Sequence, residues 1–249
     1  MEALRHTAHR PWPLPPGPWL MAQTWERLLF AHWPVDPAVL RPLIPPGLAL
    51  DTFAGTAWVG VVPFDITHAH ARSLPPLPYL SRFLELNVRT YVVTEAKPGV
   101  WFFSLDAASP LAVAGARRFF HLPYFNARMS ADVEQGWVHY RSVRTHKGAP
   151  PAEFAARYRP ASAPYKAQSG SLEHWLTERY CLYSRDPRGG IWRDEIHHAQ
   201  WSLQRAEGVI ERNTMAGAHG IALPPQEPLL HYSERLAVAI WPLRPIQPR

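Results

Sequence analysis

An acid, an amide, a guanidinium and a phenol alternate along one short stretch of the chain, at Glu85, Asn87, Arg89 and Tyr91. Side chains on a β-strand point to opposite faces with a period of two, so a strand here would have one polar face and one apolar face. A glutamate can transfer protons, and an arginine can hold a carboxylate or a phosphate through two parallel hydrogen bonds. This stretch is therefore the first candidate for chemistry.

The same alternation is also typical of an ordinary surface strand, so the polar face either meets solvent or lines an enclosed pocket. On a regular strand Glu85 and Arg89 would lie about 13 Å apart, which is too far for a direct ion pair. Each of them needs a partner from a neighbouring strand or a ligand. For Arg89 the alternatives are a bound anion and a structural ion pair with Asp106.

A hairpin over residues 83–106 would carry these side chains, and we predict its turn at Lys97-Pro98-Gly99. The apolar run Trp101–Leu105 indicates that the hairpin is central rather than peripheral. Ser109 and Pro110 then open the strongest predicted helix, because serine caps a helix and proline suits its first turn.

Composition favours a β-rich chain of short elements. Hydrophobic residues make up 47% of the 249 residues, and 28 prolines interrupt any long helix. Two further short helices are predicted after Asp36 and after Ser171, and long loops at 68–80 and 145–170. We predict a proline-rich arm over residues 1–20 and a single domain over residues 21–249.

Charge and hydropathy exclude several classes of protein. The formal charge is +6, but the basic residues are dispersed and form no stripe, so no nucleic-acid partner is predicted. No apolar run reaches the roughly 20 residues of a membrane span, and no signal peptide is visible. The single cysteine, Cys181, allows no intrachain disulfide. We therefore expect a cytoplasmic protein without a membrane partner.

Thirteen histidines raise the question of a metal site. A zinc or iron site needs three or four ligands brought together, and no H-E-x-x-H pattern occurs. His197 and His198 are adjacent, so on a strand only one of them can point inward. We predict that His197 is a hydrogen-bonding residue of a pocket or else a surface residue, and that there is no metal and no cofactor.

The chain resembles the uncharacterised YqjF-like proteins in motifs that include E-L-N-V-R-T-Y, G-V-W-F-F-S-L-D, L-T-E-R-Y-C-L-Y and I-H-H-A-Q-W. The resemblance extends from about Met21 to Pro242. That family belongs to the acetoacetate decarboxylase-like superfamily. The resemblance implies a mainly β fold, a closed antiparallel barrel or double-sheet cone with two or three short peripheral helices. It also implies a possible homo-oligomer.

The segment G-A-R-R-F-F-H-L-P-Y-F, from Gly115, resembles the part of the decarboxylases that carries their Schiff-base lysine. Here Tyr124 and Phe125 follow the proline, and neither side chain can form an imine. The lysines of this chain are Lys97, Lys147 and Lys166, of which only Lys166 could substitute. We therefore expect acetoacetate decarboxylation to be absent.

The resemblance also suggests roles for individual residues. Glu85 corresponds to an active-site glutamate of the decarboxylases, and Tyr124 either donates a hydrogen bond or proton or simply fills the emptied space. Arg118 and His121 lie close by in sequence, although Arg118 suits the end of its helix equally well. We predict a pocket for a small carbonyl or carboxylate compound, with Glu85 and Tyr124 catalytic. The predicted ligand-binding residues are Asn87, Arg89, Asp106, Arg118, His121 and His197.

Two alternatives to an enzyme stay open. In one, the barrel holds a small molecule without turnover; in the other, its interior is filled and the protein is a structural module. A continuous buried pocket that touches Glu85, Arg89 and Tyr124 would favour a ligand, and a packed interior would favour the structural module.

Overall fold

A computed structural model of the chain describes residues 2–76 and 81–246. Its strands belong to one 13-stranded sheet. They are β1 Met21–Val35, β2 Ala49–Leu50, β3 Ala57–Ala71, β4 Phe83–Thr94, β5 Lys97–Ala107, β6 Tyr124–Glu134, β7 Trp137–Arg144, β8 Glu153–Pro160, β9 Cys181–Arg185, β10 Ile191–His198, β11 Gln204–Asn213, β12 Leu229–Ile240 and β13 Arg244–Pro245. The α-helices are α1 Pro37–Leu40, α2 Pro110–Phe119 and α3 Leu172–Thr177, and 3-10 turns cover Glu2–Arg5, Arg41–Leu43 and Gly217–His219.

The strands close into two hydrogen-bonded rings that share the wall β12-β1-β3-β4-β5. Strands β9 and β10 complete the small ring on one side of this wall. Strands β6, β7, β8 and β11 complete the large ring on the other side. Most pairings are antiparallel, but β5 runs parallel to both β6 and β9. The predicted mainly β, double-sheet fold with short helices is confirmed.

The large ring encloses a packed apolar core. The apolar face of β4, with Leu86 and Val88, meets aromatic side chains from β7 and β8, including Tyr140, Phe154 and Tyr158. All five of these side chains are buried. Burial of such side chains contributes about 1.5–3 kcal/mol each, so this face of the shared wall supplies much of the stability.

The predicted helix starts are confirmed by their caps. The Ser109 hydroxyl accepts from the amide of Ala112, and the Ser171 hydroxyl accepts from the amide of His174. The Asp36 side chain caps α1 in the same way. All three helices connect strands.

The turn of the central hairpin differs from the prediction. Thr94 pairs with Lys97, so the turn residues are Glu95 and Ala96, both with positive φ. A two-residue turn of this kind matches the twist of the flanking strands. Gly99 instead lies within β5, where a Cβ atom would come within 2.7 Å of the Cys181 carbonyl oxygen and sulfur. The glycine therefore serves close strand packing rather than the turn.

The predicted loops are also corrected. Strand β8 lies inside the 145–170 segment, where Phe154, Ala156 and Tyr158 alternate as buried residues. The 68–80 segment begins as strand, because β3 continues to Ala71, and residues 77–80 lie outside the described part of the chain.

The proline-rich N-terminal segment packs against the outer face of β10. The Arg10 guanidinium and the Trp12 indole both donate to Glu195 Oε2, each at 2.9 Å. Farther along, the Trp241 indole donates to the Gly17 carbonyl at 3.1 Å. Within residues 2–76 and 81–246, no helix is long and apolar enough to cross a membrane.

Candidate functional site

A cavity of about 100 Å³ lies inside the small ring. Every strand of that ring contributes to its lining, so the cavity is the interior of the ring. This volume holds several water-sized groups, given that one water needs roughly 10–15 Å³ on the same measure. Most of the lining is apolar. The principal polar side chains that line it are Gln23, Glu85, Asn87, Arg89, Tyr124, Thr177, Arg179, Asp194, His198 and Trp201.

Glu85 and Tyr124 form a buried hydrogen-bonded pair in this cavity. The Tyr124 hydroxyl donates to Glu85 Oε2 at 2.6 Å. Burial raises the pKa of Glu85 to about 7, although the hydrogen bond from Tyr124 works in the opposite direction. Burial, followed by the adjacent Glu85 carboxylate, raises the pKa of Tyr124 well above its usual value. The carboxyl group can therefore gain or lose a proton near neutral pH, while the phenol stays protonated.

The backbone beneath Glu85 is fixed from the other side of the wall. The hydroxyl of Tyr140, on β7 in the large ring, donates to the Glu85 carbonyl oxygen at 2.8 Å and to the Phe64 carbonyl oxygen at 3.3 Å. Because Tyr140 is fully buried, the packed core of the large ring positions the strand that carries the carboxyl group.

Arg89 and Asn87 continue the polar face of β4. The Arg89 guanidinium carbon lies 5.2 Å from the centroid of the Phe30 ring, a cation–π contact. Its Nε atom is buried without a hydrogen-bond partner, and so is Oδ1 of Asn87. Among the described residues, no acidic side chain forms an ion pair with Arg89. A positive charge thus faces the cavity without a protein counter-ion.

Arg179 is a second cation in the lining. Its Nη1 atom donates to Asp51 at 2.6 Å and its Nε atom donates to the Trp175 carbonyl oxygen at 2.7 Å. The guanidinium also stacks over the rings of Trp175 and Tyr91. Its remaining nitrogen, Nη2, is buried without a partner. Arg179 is therefore held rigidly and keeps one donor free.

Asp194 lies in the same lining as a buried carboxyl group. It is 2% exposed, and its Oδ1 atom has no hydrogen-bond partner. Burial, together with the negative charge of Glu195, raises the pKa of Asp194 well above its usual range. Burial thus favours the protonated form of this carboxyl group, which can donate a hydrogen bond.

Five buried polar atoms in the cavity lining lack a partner: Asn87 Oδ1, Arg89 Nε, Arg179 Nη2, Asp194 Oδ1 and Trp201 Nε1. More than 90% of buried polar groups in proteins are hydrogen-bonded, and each unpaired one costs about 1–3 kcal/mol. Similar atoms occur elsewhere in the fold, but these five lie around one cavity, where a bound molecule can supply their partners.

The structure brings Glu85, Asn87, Arg89 and Tyr124 together in the lining of one cavity. It does not bring Asp106 to the cavity. Asp106 follows Leu105, which lines the cavity, so its side chain points to the opposite face of β5. There it accepts from Arg144, with Nη2 to Oδ1 at 2.7 Å and Nε to Oδ2 at 3.0 Å.

The other predicted ligand-binding residues also lie away from the cavity. Arg118 is exposed near the end of α2 and lies over the Phe119 ring. The His121 ring packs against Trp192, with centroids 5.6 Å apart, outside the small ring. His197 is buried on the outer face of β10, where its ring stacks with that of His9 at 5.7 Å. His198, the neighbouring residue, lines the cavity instead.

The part of the cavity lining that the structure describes contains no lysine. Lys97 Nζ bonds to Glu195 Oε1 at 2.6 Å on the outer face of β10. Lys166, the possible substitute for a Schiff-base lysine, donates to the Gln200 carbonyl oxygen. Lys147 is exposed in the connection between β7 and β8. Within residues 2–76 and 81–246, no group of three or more histidine, cysteine or acidic side chains is arranged to hold a metal ion.

Sequence reasoning missed Arg179, Asp194 and His198. A signal for two of them was present, because Asp194, Ile196 and His198 share one face of β10 by alternation. Alternation alone did not say which face turns inward. Arg179 follows α3 rather than lying on a strand, so no periodic pattern marked it.

Comparison with known proteins gives a family match and a close relative in sequence. The chain matches the DUF2071 family, described as uncharacterized conserved proteins, over residues 22–237. It is 51% identical over 231 residues to the uncharacterized protein YqjF of Bacillus subtilis (strain 168), an alignment that covers 93% of this chain and 94% of that protein.

Solved structures with the same fold are distant in sequence. The enduracididine biosynthesis enzyme MppR complexed with pyruvate aligns with a TM-score of 0.64 at 14% identity, covering 96% of this chain and 93% of that one. Acetoacetate decarboxylase from Legionella pneumophila aligns with a TM-score of 0.65 at 13% identity, covering 96% and 93%. An acetoacetate decarboxylase-like enzyme from Sphingomonas wittichii RW1 aligns with a TM-score of 0.60 at 12% identity, covering 97% and 98%. These similarities establish the fold alone.

Proposed function

The chain belongs to the DUF2071 family, and we propose that the cavity of its small ring binds a small carbonyl or carboxylate compound and transfers a proton on it. The observation that carries the proposal is the set of five unpartnered buried polar atoms around one cavity. Three of them, on Arg89, Arg179 and Trp201, are donors, which suits a ligand rich in acceptor oxygens.

The charges of the lining favour an anion. Arg89 has no protein counter-ion in the described residues, whereas Arg179 is matched by Asp51. Burial favours the neutral form of Asp194, and it raises the pKa of Glu85 to about 7. A ligand carboxylate on Arg89 would supply the missing negative charge, through charge-assisted hydrogen bonds worth about 1.5–3 kcal/mol each. The MppR structure that shares this fold holds pyruvate, a compound of suitable size and chemistry.

Glu85 and Tyr124 supply the proton chemistry in this proposal. A general base works best when its pKa lies near the operating pH, and burial raises that of Glu85 to about 7. Glu85 would take a proton from the carbon beside the ligand carbonyl. Once Glu85 carries that proton, the Tyr124 hydroxyl is released from its bond to the carboxylate and would donate to the oxygen that gains negative charge, together with the protonated form of Asp194. No covalent bond to the protein is needed, in keeping with a lining without lysine.

Proton exchange on pyruvate tests this directly. In D₂O, proton NMR should show that the protein accelerates the loss of the pyruvate methyl signal. We expect Glu85→Gln to abolish the acceleration and to leave pyruvate affinity within about threefold, because the amide keeps an oxygen for the Tyr124 hydroxyl. Tyr124→Phe should lower the rate by about 10²-fold or more, the contribution typical of a positioned acid or donor.

Two outcomes would contradict parts of the proposal. If pyruvate binds but neither the wild-type protein nor Glu85→Gln exchanges its protons, the cavity is a binding site without turnover. If borohydride traps a covalent adduct of the wild-type protein that is visible by intact mass, an imine forms and the lysine-independent route is wrong.

A further inference from the structure

A second, larger hollow lies beside the cavity, between α2 and residues 69–75 at the end of β3 and just after it. We call it the α2 groove, and its volume is about 340 Å³. Its walls are mainly apolar and include Phe83, Phe120 and the small residues Ala112, Gly115 and Ala116. Among the residues that the structure describes, no Asp, Glu, Lys or Arg lines the groove, whereas the cavity of the small ring is lined by both arginines and acids.

The α2 groove adjoins that cavity. Met21, Gln23, Phe120 and Tyr124 line both of them. Tyr124, whose hydroxyl is bonded to Glu85, therefore stands between the cavity and the groove. A molecule with its polar end near Glu85 and Arg89 would reach the groove beside Tyr124.

Large apolar side chains are exposed at the groove. Leu111 and Phe119, both on α2, are each 69% exposed, and Leu74 opposite them is 55% exposed. Clustered exposure of this kind marks binding surfaces rather than ordinary protein surface. A tail lying between these side chains would remove its own apolar surface, and theirs, from water.

We propose that the ligand is an amphipathic acid, whose carboxylate and carbonyl lie in the cavity and whose alkyl tail lies in the α2 groove. This inference rests on the proposed function and specifies its substrate class. The two volumes agree with this placement of head group and tail. The cavity has room for a compact head group, and the groove has room for a chain of several methylenes.

Gly115 offers a way to close the groove without disturbing the cavity. No atom lies within 4 Å of the position a Cβ would occupy there, and Gly115 does not line the cavity. A leucine at this helical position would fill the groove and would also favour the helix. Ala114 is the matched control, because it is exposed on α2 and does not line the groove.

Titration calorimetry with pyruvate, 2-oxohexanoate and 2-oxooctanoate tests the inference. For the wild-type protein we expect affinity to rise about fourfold for each methylene that is buried. Gly115→Leu should bind pyruvate within twofold of wild type and 2-oxooctanoate at least tenfold more weakly. Ala114→Leu should reproduce the wild-type series.

The outcomes separate this inference from the proposed function. If none of the three acids binds, both the tail site and the proposed function are wrong. If pyruvate binds and affinity does not rise with chain length, or if Gly115→Leu binds 2-oxooctanoate as wild type does, only the tail site is wrong. If Gly115→Leu leaves the series unchanged but alters the oligomeric mass in native mass spectrometry, the groove is an interface between chains.

Discussion

The two rings share a wall, yet their interiors differ in how buried charges are paired. In the large ring the buried acid Asp106 meets Arg144 in a bidentate ion pair, and aromatic side chains fill the remaining space. In the small ring Arg89 faces a cavity without a protein counter-ion in the described residues, and Asp194 holds an unpartnered oxygen there. Buried polar atoms without a partner occur in the large ring as well, Ser142 Oγ among them, but the charged pair there is matched, whereas Arg89 in the small ring is not.

Strand β4 shows how one sequence serves both interiors. Leu86 and Val88 face the packed core, while Glu85, Asn87 and Arg89 face the cavity. The core immobilises the strand, and Tyr140 ties it to the large ring through the carbonyl of Glu85. A rigid wall of this kind can hold unpaired polar groups in place, which is what preorganised binding requires.

Removing Asp106 should have the largest effect on stability. Asp106→Ala leaves Arg144 buried without its partner, which costs about 3–5 kcal/mol of the free energy of unfolding. Urea unfolding measures this loss. The exposed pair of Arg159 and Glu207 is the control, since Glu207→Ala should cost at most about 1 kcal/mol.

Ligand binding should survive in the fraction of Asp106→Ala that remains folded, because Asp106 does not line the cavity. Equal costs for Asp106→Ala and Glu207→Ala would mean that the ion pair does not hold the large ring together. A folded variant that had lost all ligand binding would remove the distinction between the two interiors.

The pH dependence of stability should report the ionisation of Glu85 in the small ring. The folded-state pKa of Glu85, about 7, lies above its ordinary value of 4.5. The folded protein therefore binds the proton more tightly than the unfolded chain. This stabilising contribution is complete below pH 4.5, is lost as the pH rises through 7, and amounts to about 3 kcal/mol.

Glu85→Gln removes this titration. The free energy of unfolding of the wild type minus that of the variant should fall by about this amount between pH 4.5 and pH 8, as measured by urea unfolding at each pH. Asp194 and the buried histidines titrate in both proteins, so their contributions cancel. A difference that does not change with pH would show that Glu85 ionises at its ordinary pKa.

Removing the Tyr140 hydroxyl, which links the two rings, should give the smallest change in stability. Tyr140→Phe removes the hydrogen bond to the Glu85 carbonyl and should cost about 0.5–1.5 kcal/mol of unfolding free energy. It should also lower the proton-exchange rate while ligand affinity stays close to that of wild type, because Glu85 loses positioning rather than contact. If the exchange rate is unaffected, the shared wall positions Glu85 without help from Tyr140.

Local sequence patterns predicted the hairpin and one face of its first strand correctly. Alternation placed Glu85, Asn87 and Arg89 together because period two is a property of a single strand. It did not predict that Tyr91, in the same series, would lie beyond the cavity, where its hydroxyl bonds to His32 and to the Leu176 carbonyl.

Which face of a strand turns toward which ring is a property of the whole fold. The sequence was not sufficient to predict it. Asp106 lies on the face of β5 that turns to the large ring, and its partner Arg144 is 38 residues away. The N-terminal segment covers the face of β10 that carries His197, so His198 faces the cavity. Tyr124 was found only through the family resemblance, because no local pattern connects it to Glu85.

The most direct test compares wild type with Arg89→Met across a panel of small carboxylic acids and 2-oxo acids, by thermal shift near pH 7. Methionine keeps the apolar bulk of the side chain and removes the charge. At least one member of the panel should raise the melting temperature of the wild type and should bind Arg89→Met about 10- to 100-fold more weakly. Failure of every member to stabilise the wild type, or equal stabilisation of Arg89→Met, would contradict the account of the small ring as an anion-binding site.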